Sequence, residues 1–135
     1  MLEVYTIGQT LTSGSAIPFN NVQIEKGKTA VLTAPSTISL NAAGVYMVAV
    51  DGEMIGTAAG DGTVRLSRDS LPVAAAAATA TLAAAATVPY EFTTLVQVPY
   101  NNSPCCCASS PVNLQLVYTG PAATGNANVC VTKIC

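Results

Sequence analysis

Asp51 and Glu53 stand two residues apart, so in an extended strand their carboxylates share a face. Two carboxylates on one face could act as a glycosidase pair or hold a hard cation. The plainer reading is a solvated turn ahead of Gly56. Gly60-Asp61-Gly62 reads as a tight turn rather than a calcium loop, because the alternating Asp/Asn ligands of such loops are absent. The chain has no His, which removes the commonest general base and the usual activating partner of a Cys nucleophile. Five cysteines are present: Cys105, Cys106, Cys107, Cys130 and Cys135. The odd count argues against a complete intramolecular disulfide framework and for reduced thiols that behave as small hydrophobes. A sharper alternative has Cys105-Cys106-Cys107 meeting its symmetry mates, as interchain disulfides or an axial metal site. Their adjacency does not match zinc-ligand spacing. Tyr5, Tyr90 and Tyr100 could stack on sugars, although isolated tyrosines more often lie half-buried in a core or interface. Glu91, beside Tyr90, reads as a strand-edge charge. No catalytic, cofactor-binding or metal-ligating residue is assigned, and the expectation is a protein that is not an enzyme and carries no cofactor.

Whatever positions these residues is poor in charge. Charged residues make up 9% of the 135, against about one quarter in an ordinary soluble domain. Half the residues are hydrophobic. A single chain with so little polar cover is expected to be covered by copies of itself. The length allows one domain that buries roughly two thirds of its unfolded surface. Net charge is -2, and Lys26, Lys28, Arg65, Arg68 and Lys133 are too few and scattered to bind nucleic acid or anionic lipid. Met1 to Tyr5 lacks the basic start and apolar run of a signal peptide, so the chain is expected either to stay in the cytosol until it is assembled or to leave by a route the sequence does not show. Leu71 to Val88 is uncharged, but its Ala and Thr make a poor membrane helix.

Period-two alternation dominates the rest. It marks Val22 to Ile24, Ala30 to Leu32, Thr37 to Leu40, Thr63 to Arg68, Phe92 to Val98, Val112 to Tyr118 and Asn128 to Ile134. Val45 to Val50 is apolar on both faces, as in a strand covered on both sides. Asn41 to Gly44 and Asp69-Ser70 read as turns, and Gly52, Gly56, Gly60 and Gly62 as a mobile stretch. Seven or eight short strands at this spacing fit a sandwich or barrel. Ala74 to Ala86 has helical propensity, but its place in a strand series favours an extended segment, with Ala chosen for close approach of neighbouring chains.

The order of these runs resembles the tumour-necrosis-factor-like jelly roll, which includes complement-type globular heads and phage and spore-surface domains. TISLNAAGVYMVAVDGEM is similar to a strand pair of that family, with Gly44 and Tyr46 in its Gly-x-Tyr positions. GTVRLSRDSLPVAAAAATAT resembles its next strand and turn. LVQVPYNNSPCCCASSPVNLQLVYTG resembles a strand, Cys-rich loop and strand, and ANVCVTKIC the closing strand. The resemblance implies an all-β antiparallel jelly-roll sandwich over residues 16–135. A short N-terminal arm, residues 1–15, would precede it and serve as an anchor. It also implies a homotrimer whose axis is lined by one sheet of each protomer. Gly-X-Y repeats are absent, and nothing reproduces the calcium ligands of the animal members.

The function expected is a trimeric phage head-fibre or capsid decoration protein on the virion surface. Its partners would be itself, a capsid protein reached through the arm, and host-surface glycans. The alternatives are a spore-surface or secreted trimeric head and a lectin-like module.

Overall fold

The computed structural model describes residues 1–99 and 111–135. Cys105 to Cys107 and Tyr100 lie outside the described residues, and with them both readings of the cysteine run. Among the described residues there is no helix. Eleven strands follow in order: β1 (Leu2–Leu11), β2 (Ser15–Ala16), β3 (Asn21–Glu25), β4 (Ala30–Ala34), β5 (Thr37–Leu40), β6 (Gly44–Gly56), β7 (Gly60–Arg68), β8 (Leu71–Leu82), β9 (Thr87–Val98), β10 (Val112–Thr119) and β11 (Ala123–Lys133).

They form two antiparallel sheets. One has the order β3-β1-β11-β6-β9; the other runs β4-β5-β10-β7-β8, with β2 also paired to β10. Alternation explains the core. Tyr46, Val48, Val50 and Met54 of β6 turn inward with Leu2 and Val4 of β1 and Val129 and Val131 of β11. They meet Ile38, Leu40, Val64, Leu66, Leu114 and Leu116 from the opposite sheet. Ile17 and Phe19, in the crossing between sheets, plug the same core at 2% exposure each. Three buried tyrosines satisfy their hydroxyls on backbone: Tyr46 donates to Ala42, Tyr90 to Asn126 and Tyr118 to Pro121. A buried hydroxyl without such a partner would cost about 1–3 kcal/mol.

Several expectations change. Residues 1–15 are not an arm outside the domain. Leu2, Val4 and Leu11 are buried, and β1 pairs with β11 on one side and β3 on the other. Its alternation, Leu2, Val4 and Thr6 inward and Glu3, Tyr5 and Ile7 outward, is a strand pattern. Gly52 and Gly62 lie inside strands, and Gly56 and Gly60 end β6 and begin β7, rather than forming one mobile stretch. Ala74 to Leu82 lies within β8, as its context favoured, extended except at Ala75 with φ 61°, while Ala83 to Ala86 forms the turn into β9. Asp69 and Ser70 make the two-residue turn between β7 and β8 with φ of 49° and 70°, both positive as a type I′ hairpin turn requires.

Candidate functional site

Asp51 and Glu53 do share a face, but on a strand and not in a turn. Both lie on β6 and are exposed on the outward side of the five-stranded sheet. The register builds the rest. Asp51 stands directly opposite Glu91 of β9 on one side and Asn128 of β11 on the other. Asn128 in turn faces Tyr5 of β1. Glu53 faces Pro89 and Asn126. One row away, Glu3 pairs with Cys130, which pairs with Ala49. Four of the chain's seven acidic residues therefore share one face: Glu3, Asp51, Glu53 and Glu91.

Asn128 ties this belt together. Its amide Nδ2 donates to Glu3 Oε1 at 3.3 Å and to Asp51 Oδ1 at 3.2 Å. Its own Oδ1 is buried without a partner. Asn126 plays a different part, its Oδ1 accepting the Gly8 amide at 2.8 Å. Gly8 sits at φ 64° in a bulge where the β1–β11 register slips between Thr6 and Gln9. The bulge frees the Gly8 amide from the ladder and leaves Ile7 on the outside, 70% exposed.

Beneath the belt, Gly52 lets the Tyr90 ring cross the strand. A Cβ at Gly52 would lie 2.1 Å from Asn126 O and 2.7 Å from the Tyr90 hydroxyl. Burial, and then the negative charge of Asp51, raise the Tyr90 pKa well above its ordinary value. Tyr90 is thus a buried structural ring rather than a sugar platform, whereas Tyr5 is half-buried on the face. The outward relief is a groove of about 500 Å³ lined by Asp51, Gly52, Glu53, Pro89, Tyr90 and Glu91. It adjoins a second of about 290 Å³ that reaches Glu3, Tyr5 and Ile7.

Apolar side chains flank the belt. Met47 and Leu95 form a cross-strand pair at one end, 38% and 59% exposed. Ile55, 39% exposed, stands beyond Glu53 at the other end. The run Val45 to Val50, apolar on both faces, is therefore covered on one face only by its own protomer. Among the described residues, no group of three or more His, Cys, Asp or Glu side chains is placed to hold a metal ion. Gly60-Asp61-Gly62 opens β7 in the other sheet, where the Asp61 carboxylate accepts from Thr81. Sequence reasoning missed Glu3, Ile7, Asn126 and Asn128. Their period-two spacing was a readable signal, hidden for the first pair by the reading of residues 1–15 as an arm.

No protein-family model matches the sequence, and no curated protein matches it. Solved structures do match the fold. The globular domain of zebrafish complement 1qA protein aligns with a TM-score of 0.70 at 8% identity, over 99% of this chain and 96% of that one. Murine APRIL at pH 5.0 aligns at 0.62 and 8% identity, over 98% of each chain. PRD1 vertex protein P5 aligns at 0.51 and 12% identity, over 99% of this chain and 96% of that one. The two sheets, their order and these likenesses show that the chain has the tumour-necrosis-factor-like jelly-roll fold.

Proposed function

We propose that the protein is a structural, non-enzymatic component of a phage virion, a head-fibre or capsid decoration protein that works as a homotrimer. One observation carries the reading. The outward face of the five-stranded sheet presents Ile7, Met47, Ile55 and Leu95 to solvent, on a chain whose charged content is 9%. An exposed apolar face of this kind marks an interaction surface. Three copies placed about an axis would cover it and close the assembly. The likeness to PRD1 vertex protein P5 supports a virion role over a spore-surface head of the same fold. A lectin-like module of this fold would take sugar at its loops, and binding on a glycan array would separate it from a purely structural trimer. The test is mass spectrometry of purified particles from the phage that encodes the chain. The protein is expected in stoichiometric amounts, and its absence from washed particles would refute the virion role.

A further inference from the structure

We propose that protonation of the carboxylate belt gates this self-association, so that the trimer tightens as pH falls. The inference rests on the trimer reading above. Two independent observations meet on one face. The first is the set of unpaired apolar side chains, Ile7, Met47, Ile55 and Leu95, which calls for a protein cover. The second is the register, which puts Asp51 directly opposite Glu91 and joins Asp51 to Glu3 through Asn128. Like charges directly opposite on neighbouring strands repel.

Among the described residues, no cation on these strands offsets them. Strands β1, β6 and β9 contain no Lys or Arg, and β11 has only Lys133, in register with the buried Tyr46. The titratable groups around the belt are Glu3 and Tyr5 from β1, Glu53 from β6, Cys130 from β11, and Tyr90 and Glu91 from β9. At the far edge, β3 ends in Glu25, followed by Lys26, whose carbonyl accepts from the Met1 ammonium, the nearest cation to Glu3 along β1. Covering the face takes the carboxylates out of water, and a threefold axis repeats each of them three times. A desolvated carboxylate beside others of its kind takes up a proton. Assembly therefore binds protons, and the association constant must rise as pH falls toward the carboxylate range. Each proton taken up per trimer changes it about tenfold per pH unit across that range.

Sedimentation equilibrium between pH 8 and pH 5 tests this, on the full-length protein and on the double variant Asp51→Asn, Glu91→Gln. The wild type is expected to associate at least about tenfold more tightly at pH 5. The variant is expected to be tight at both values, with most of the pH dependence gone. Glu3→Gln alone provides a milder second variant, expected to lose part of the dependence, with circular dichroism confirming its fold. A trimer whose association is the same at pH 8 and pH 5 overturns the proton gate and leaves the trimer standing. A 13.6 kDa monomer at every pH overturns both.

Discussion

Replacing Leu95 by Gln removes apolar surface from one end of the outward face, on its edge strand β9, without adding charge to the carboxylate belt. Leu95 is 59% exposed in the protomer, so its own fold depends little on it. Burying a whole Leu side chain is worth about 1.5–3 kcal/mol. The part still exposed is then worth about 1–2 kcal/mol per copy when a neighbour covers it. Three copies lose about 3–5 kcal/mol per trimer, a weakening between about a hundredfold and a few thousandfold at 1.4 kcal/mol per factor of ten. The control is Leu71→Gln. Leu71 is 71% exposed on the hairpin of the other sheet, away from the proposed interface. Analytical ultracentrifugation over a concentration series measures both. The Leu95 variant is expected to dissociate where wild type and Leu71→Gln remain assembled. Unchanged association for Leu95→Gln, or equal weakening by Leu71→Gln, would refute the placement of the interface.

Gly52→Ala would push a Cβ to 2.1 Å from Asn126 O, a backbone atom that cannot step aside. Thermal denaturation is expected to show a loss of at least about 2 kcal/mol, near the upper part of the range for overpacking. Ala75 and Ala85 hold φ of 61° and 60°, a region that costs a residue with a Cβ about 1–2 kcal/mol. Either Ala→Gly change should gain up to about 1 kcal/mol in chemical denaturation, after the greater unfolded-state entropy of Gly is subtracted. Burial raises the pKa of Tyr46, Tyr90 and Tyr118 above the ordinary 10.0. Their unfolded forms ionise first, so the stability they contribute is complete below pH 10 and is lost above it. Unfolding free energy measured from pH 9 to pH 11.5 should fall with rising pH, and Tyr46→Phe should flatten that slope.

The fold was legible where alternation was clean. Phe92, Thr94, Val96 and Val98 turn inward while Thr93, Leu95 and Gln97 turn outward, as their spacing requires. Tyr118 and the alternating Val112, Leu114 and Leu116 are buried as their strand pattern implied. Legibility failed at β1, where Gly8 and the slipped register break the alternation and disguise a ten-residue strand as an arm. It failed again at the glycines. Gly52 and Gly62 look like loop punctuation but make room for the rings of Tyr90 and Tyr118, a packing role visible only across strands. For the candidate site, the sequence could show that Asp51 and Glu53 share a face. That Glu91 and Glu3 join them depends on which strands are neighbours, and order within a sheet is a long-range property that local spacing does not encode.

An interface between copies of the chain on this apolar, acidic sheet face makes the protein a trimer in solution. The solution mass by light scattering at micromolar concentration and pH 5 tests it most directly. The expected mass is three times that of the 13.6 kDa protomer. A mass of one protomer under those conditions would contradict it.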